Sequence, residues 1–99
     1  MPGFTIRVEL HGAEHEGDAY EDLHEAMKKR SFARRLKIDG ITYELPPAEY
    51  SIRANSLTGS KVLKEAIAAA EEVSDDFSVL VTVTEVSRLQ SGLKIVKKA

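Results

Sequence analysis

The sequence predicts an α+β fold of the ferredoxin-like type, in which a βαββαβ core forms an antiparallel sheet with two helices on one face. Some segments alternate apolar and polar residues with a period of two, and others repeat apolar residues at helical spacing. The order in which these segments follow one another gives the βαββαβ pattern. At 99 residues the chain has room for one hydrophobic core, so residues 1–99 are predicted to form a single domain with 92–99 as a C-terminal strand or tail.

The first two predicted elements are a strand and an amphipathic helix. Strand one runs from Phe4 to Leu10, where apolar residues alternate with polar ones. Helix one is predicted to begin at Asp18, which with Glu21 has the spacing of a capping box, and to end near Ser31. Between those ends an apolar stripe at helical spacing is formed by Ala19, Tyr20, Leu23, Ala26 and Met27.

The segment from Leu36 to Leu45 changes the parity of its apolar residues at Asp39-Gly40. Asp-Gly favours a two-residue hairpin turn, but the same dipeptide also forms a bulge that bends one strand. Both interpretations fit the sequence. Pro46-Pro47 ends this strand-two region because proline cannot donate to a β-ladder, and strand three follows from Tyr50 to Ala54.

The second half of the chain repeats the helix-then-strand order. An alanine-rich amphipathic helix is predicted from Thr58 to Val73. The run from Phe77 to Val86 is rich in β-branched and apolar residues, which predicts a fourth strand at the centre of the sheet, covered on more than one side. Leu93 to Val96 have the composition of a short fifth strand, which would need a partner edge.

Composition excludes several classes of function. The chain has no cysteine, which rules out disulfides, thiolate metal sites and a cysteine nucleophile. No run approaches the roughly 18 apolar residues of a membrane span, and the start of the chain lacks the pattern of a signal peptide. We therefore expect no membrane association and a cytoplasmic location. No sequence motif points to a cofactor.

A basic stretch from Lys28 to Lys37 stands out against the formal net charge of -2. Several cations on one surface release counterions when they contact nucleic acid, so a phosphate-binding surface is one interpretation. The other is a solvated helix end, because cations in a last helical turn favour the helix dipole. The candidate contacts with RNA are Arg30, Arg34 and Arg35, with Arg53 on the sheet face.

Histidine supplies the candidate catalytic group. His24 lies one turn after Tyr20, at the border of the apolar stripe, where burial tunes an imidazole for general acid or base catalysis of RNA cleavage. The alternative interpretation is that His24 is a residue at the boundary of the core, where it only packs the edge of its ring. His11 and His15 are predicted to be solvated loop residues, and we predict no metal site. Serine, histidine and aspartate occur without the sequence context of a hydrolase triad.

The frame Tyr20-x-x-Leu23-His24-x-x-Met27, together with Asp39-Gly40-Ile41 and the segment Ser56 to Leu63, resembles the GhoS-type antitoxin endoribonuclease family. The resemblance covers most of the chain and implies a ferredoxin-like fold related to the small CRISPR-associated nucleases. It also implies a homodimer and cleavage of a toxin's messenger RNA. His24 stands where the family has an arginine, and His11 where the related nucleases have an acid.

These expectations lead to one leading function and two alternatives. The leading prediction is an antitoxin-like homodimer that binds single-stranded RNA, and that cleaves it without a metal if the protein is an enzyme. The first alternative is a non-catalytic homodimeric interaction module that pairs through a sheet edge or the C-terminal tail. The second is a ligand-sensing regulatory domain of similar topology.

Overall fold

The computed structural model describes residues 3–12, 17–53, 57–84 and 91–96. The described residues form five strands and two helices in α+β order, which confirms the predicted ferredoxin-like class. In chain order they are β1 (Gly3–Leu10), α1 (Asp18–Lys29), β2 (Arg35–Ile38), β3 (Ile41–Glu44), β4 (Glu49–Arg53), α2 (Gly59–Glu71) and β5 (Phe77–Thr84).

The main sheet has the strand order β4-β1-β5, and both pairings are antiparallel. The prediction that the strand beginning at Phe77 is central was therefore wrong, because β1 is the central strand. Only one face of β5 is partly covered, and Leu80 on the other face is 63% exposed. An uncharged, β-branched run suits a half-covered strand as well as a fully buried one, and the sequence does not separate the two cases.

The core lies on one face of this sheet, under both helices. Phe4, Ile6 and Val8 of β1 are almost fully buried, whereas Arg7 and Glu9, which alternate with them, are exposed. The buried strand residues belong to one cluster with Tyr20, Leu23 and Met27 of α1 and with Val62, Ala66, Ala69 and Ala70 of α2. The open face of the sheet therefore carries the polar residues of β1, as the alternation predicts.

Helix α1 lacks the predicted capping box at its start, and it ends at a residue with a positive φ. Gly17 is the N-cap, with no side-chain hydrogen bond, so the predicted capping role of Asp18 was wrong. At the other end Ser31 has a positive φ of 69°, and the N–H groups of Ser31 and Phe32 donate to the carbonyls of Lys28 and Met27. This is a Schellman ending with serine where glycine is usual, and it turns the chain toward β4.

Asp39-Gly40 makes a full hairpin turn. Strands β2 and β3 pair antiparallel with Ile38 opposite Ile41, and both Asp39 and Gly40 have positive φ, at 49° and 83°. These are the angles of a type I′ turn, whose twist matches that of the flanking strands. A bridge between Ala33 and Ser51 connects the start of this hairpin to the outer edge of β4.

The segment predicted as a short fifth strand lies along β3 of the same chain. The N–H of Glu44 donates to the carbonyl of Lys94, and the N–H of Val96 donates to that of Thr42. A bridge between Tyr43 and Ile95 completes the antiparallel contact. The partner edge that the sequence called for is therefore supplied within the chain.

Candidate nucleic-acid interface

The half-buried His24 projects from α1 and is held by two protein groups. Its Nδ1 lies 2.5 Å from the hydroxyl oxygen of Tyr50, and its Nε2 lies 2.9 Å from Nη1 of Arg34. A guanidinium has only donors, so Nε2 must accept the hydrogen bond from Arg34. The neutral ring then carries its proton on Nδ1 and donates it to Tyr50. The ring therefore has a defined tautomer and a partner at each nitrogen.

The surroundings of His24 favour its neutral form. Burial lowers the pKa of His24 below its ordinary value, and the neighbouring charge of Arg34 lowers it further. Burial also raises the pKa of Tyr50 well above that of a free phenol, against the opposing charge of Arg34. Both side chains are thus uncharged at neutral pH. They are hydrogen-bonded to each other, and His24 also accepts a hydrogen bond from Arg34.

Arg34 points into the protein. Its Nη2 donates to the carbonyl of Leu45 at 2.8 Å, while Nη1 holds His24. The guanidinium carbon lies 5.9 Å from the ring centre of Tyr50, and Nε is buried with no hydrogen-bond partner among the described residues. Arg34, a predicted phosphate contact, therefore has both terminal nitrogens engaged within the protein. Its contacts connect α1, the C-terminal end of β3, and β4.

Arg30 is paired with acidic groups at the other helix. Its Nη1 lies 2.8 Å from Glu65 of α2, and its Nη2 lies 3.3 Å from Glu72, the C-cap of that helix. The carboxylate partners are 52% and 45% exposed, so these pairs are screened by solvent and are worth little to stability. They do neutralise the charge that a phosphate would meet. Arg30 is therefore paired with carboxylates, whereas the terminal nitrogens of Arg34 are occupied by the uncharged acceptors His24 and Leu45.

Arg35 and Arg53, the other two predicted contacts, lie together in a groove. The basic groove, as we call it, is about 380 Å³ in volume and runs between β2 and β4. It also contains Lys37, the last residue of the basic stretch. The groove is lined by Ser31, Ala33, Arg35, Leu36, Lys37, Ser51, Ile52 and Arg53.

Strand register explains why these three cations converge. Arg35 and Lys37 are separated by two positions on β2, so both point to the same side. The Ser51 hydroxyl donates to the carbonyl of Arg35 at 2.7 Å and ties β2 to β4, and Arg53 follows two positions along β4. All three cations are exposed, and none forms an ion pair with another described residue.

Aromatic side chains that could stack on bases do not line this groove in the described part of the chain. Phe32 and Tyr50 belong to the core, and Tyr43 is partly buried in the hairpin. The groove therefore offers cationic side chains, but no aromatic platform in the described part of the chain.

The remaining histidines are His11 and His15. His11 has a fixed position: it follows β1 directly and bonds to Asp76 and Ser78, so its description as a solvated loop residue was incomplete. His15 lies outside the described residues. Within the described ranges, no group of three or more histidine, aspartate or glutamate side chains is placed to hold a metal ion. None of the helices described there is long and apolar enough to cross a membrane.

Comparisons of this chain with protein-family models, with curated proteins and with solved structures found no match. The resemblance to the antitoxin endoribonucleases therefore stays an interpretation of the sequence. What the protein does must be inferred from its own side chains.

Proposed function

We propose that this protein binds single-stranded RNA through the basic groove. The observation that carries the proposal is the convergence of Arg35, Lys37 and Arg53, all exposed and without ion pairs among the described residues, on one concave surface. The chain as a whole is slightly acidic, with a formal net charge of -2, so a local concentration of cations is not a by-product of overall composition.

The shape of the groove favours a flexible strand as the ligand. Its volume of about 380 Å³ is that of a small-molecule pocket, which suits a short piece of single strand better than the wide, regular surface of a duplex. Phosphates would contact the three cations and release counterions. Exposed Ser31, which lines the groove, supplies a hydroxyl that can hydrogen-bond to a ribose 2′-hydroxyl, the group that distinguishes RNA from DNA.

RNA cleavage, the second half of the predicted function, would rest on His24. As a general base it must accept a proton at Nε2, which now accepts from Arg34, so that hydrogen bond must open before catalysis. The antitoxin role and the cytoplasmic location belong to the same proposal, since both follow from action on a cellular transcript. Binding in the basic groove does not depend on either.

The test is fluorescence anisotropy with a labelled single-stranded RNA of mixed sequence. We expect Arg35→Ala/Lys37→Ala/Arg53→Ala to weaken binding at least tenfold, because all three direct phosphate contacts are removed. A matched control, Lys61→Ala/Lys64→Ala, removes exposed cations from α2 and should leave binding within twofold. Equal losses in both variants would mean that the attraction is non-specific and would contradict the proposal.

The same samples test cleavage. Incubation of the RNA with and without chelator, beside His24→Ala, distinguishes a metal-free nuclease from a binding protein. Products that persist in chelator and disappear in His24→Ala would support the catalytic role of His24, and intact RNA throughout would restrict the function to binding.

A second candidate, an interaction module that pairs with another copy, is favoured by β5. This eight-residue strand has no charged residue and pairs with β1 along one edge. Long uncharged edge strands are templates for pairing with another chain. The alternative route through the C-terminal tail is weakened, because residues 94–96 already pair with β3. A molar mass by light scattering that stays monomeric up to high concentration would exclude this candidate.

A further inference from the structure

Three side chains at the end of the β1–β5 ladder form a hydrogen-bonded chain with the connectivity of a hydrolytic triad. Asp76 Oδ1 lies 2.7 Å from Nδ1 of His11, and Ser78 Oγ lies 2.9 Å from Nε2 of the same ring. The chain therefore runs from carboxylate to imidazole to hydroxyl through the two opposite nitrogens of His11.

The protonation pattern follows from the donors and acceptors. An ionised carboxylate only accepts, so Nδ1 of His11 carries the proton that is donated to Asp76. In the neutral ring Nε2 is then the acceptor, and the Ser78 hydroxyl donates to it. This is the arrangement in which a histidine can remove the proton of a serine nucleophile.

Strand register brings together residues that are far apart in the sequence. Leu10 pairs with Phe77 and Glu9 with Ser78 in the antiparallel ladder, and the N–H of His11 donates to the carbonyl of Asp76 at 3.1 Å. The Asp76 N–H donates in turn to the Ser74 hydroxyl at 3.1 Å, which fixes the turn that carries the carboxylate. The cluster is therefore held by backbone as well as side-chain hydrogen bonds.

The cluster is open to solvent and separate from the basic groove. Side-chain exposure is 39% for His11 and 73% for Asp76. Arg53 of the groove pairs with Gly3 at the start of β1, whereas His11 follows the other end of that eight-residue strand. None of these three side chains lines the basic groove.

We propose that Ser78 is a nucleophile that accepts acyl groups from small, activated esters, with His11 as its general base and Asp76 as the residue that positions His11. The Ser78 oxygen attacks the ester carbonyl carbon while Nε2 of His11 takes the hydroxyl proton. The tetrahedral intermediate expels the alcohol, which receives that proton from His11, and Ser78 is left as an ester. His11 then takes a proton from a water molecule, whose oxygen attacks the acyl carbon. The bond between that carbon and Ser78 Oγ breaks, Oγ receives the proton from His11, and the carboxylic acid leaves.

Neighbouring charge and exposure define the class of ester. Glu9 Oε1 lies 3.8 Å from Nε2 of His11, close enough to stabilise the imidazolium that forms during proton transfer. Together with Asp76 it repels anionic substrates, so the acyl donor should be neutral or cationic. Because the site is open, water solvates the oxyanion of the intermediate, and esters with a good leaving group are the ones expected to react.

The experiment is acylation of the full chain with p-nitrophenyl acetate, followed by peptide mass spectrometry. In the wild type the acetyl group should be found on Ser78 above the background on lysines. Ser78→Ala should abolish the site-specific label, and His11→Gln should slow acylation by about 100-fold, the lower range for a general base. Thr82→Ala, which removes a hydroxyl from the same face of the same strand, is the matched control and should acylate Ser78 at the wild-type rate.

The role of Asp76 is tested by a measurement that distinguishes positioning of His11 from a purely structural role. Asp76→Asn should slow acylation, because the amide can donate to Nδ1 and so favours the tautomer that cannot accept from Ser78. Asp76→Glu, which keeps a carboxylate, should recover part of the rate. Label confined to lysines in the wild type, or an unchanged Ser78 acylation rate in His11→Gln, would overturn the proposal.

Discussion

The hydrogen-bonded contact between His24 and Arg34 predicts how stability depends on pH. In the folded protein Nε2 of His24 accepts from Arg34, so a proton cannot bind there without bringing two cations into contact. Burial first and the Arg34 charge second lower the pKa of His24 below its value in the unfolded chain, which is about 6.5. As the pH falls through 6.5, the unfolded state therefore binds a proton that the folded state does not.

The sign and the ceiling of this effect follow from proton linkage. The contribution of His24 to the free energy of unfolding is fully present above about pH 6.5 and is lost as the pH falls below it. One group can change stability by no more than about 1.4 kcal/mol per pH unit, and the half-buried ring should stay below that ceiling. We expect the slope to begin near pH 6.5 and to flatten once the folded protein also takes up the proton.

The assay combines NMR titration of the His24 ring with urea unfolding at several pH values. Arg34→Met is the informative variant, because it keeps an aliphatic side chain but removes the charge and both hydrogen bonds. It should raise the midpoint of the His24 titration, while burial keeps that midpoint below the unfolded value. It should also cost about 2 kcal/mol of stability, because the buried carbonyl of Leu45 and Nε2 of His24 lose their donor.

Two results would refute this reasoning. One is a wild-type His24 that titrates at or above the midpoint of an unfolded histidine. The other is an Arg34→Met protein whose His24 titration does not move, since Arg34 would then not be the partner of Nε2.

Three substitutions test the fold. Gly40→Ala should destabilise the protein by about 1 kcal/mol in urea unfolding. An added Cβ meets no atom within 4 Å, so the cost comes only from the left-handed φ of 83°. An unchanged unfolding midpoint would contradict the type I′ turn. Tyr20→Phe should cost about 1–3 kcal/mol, because the buried N–H of Leu10 loses its hydroxyl acceptor at 2.8 Å, and faster amide exchange at Leu10 would be the specific sign. Leu23→Ala should cost about 2–5 kcal/mol through the cavity it leaves under the sheet, and a smaller loss would place Leu23 outside the core.

Periodicity was sufficient to predict the parts of the fold that depend on local burial. Phe4 to Leu10 and the stripe of α1 from Tyr20 to Met27 face the core, as their spacing predicts. The parity change at Asp39-Gly40 left a hairpin and a bulge equally open, because both reverse the side-chain pattern. The edge position of β5 was not predicted, because a strand buried on one face and a strand buried on both faces have a similar β-branched composition.

The candidate sites were less accessible from sequence because they depend on strand register. His24 and Arg34 were both singled out, but their contact with each other needs the turn after Ser31 and the bridge from Ala33 to β4. The sequence does not distinguish Lys37 from its basic neighbours, because only the strand face places it beside Arg35 and Arg53. The His11–Ser78 contact spans 67 positions in the sequence, and no local pattern indicates such a pairing.

The most direct test of the proposed function is the salt dependence of RNA binding. For a single strand the slope of log K against log salt concentration is about -0.7 for each phosphate contact, so three groove cations predict a slope of about -2. Removing Arg53 alone should make the slope shallower by about 0.7, while Lys61→Ala, on α2, should leave it unchanged. A wild-type protein that shows no binding at low salt, or a slope that Arg53→Ala does not alter, would contradict the assignment of the basic groove as the RNA-binding surface.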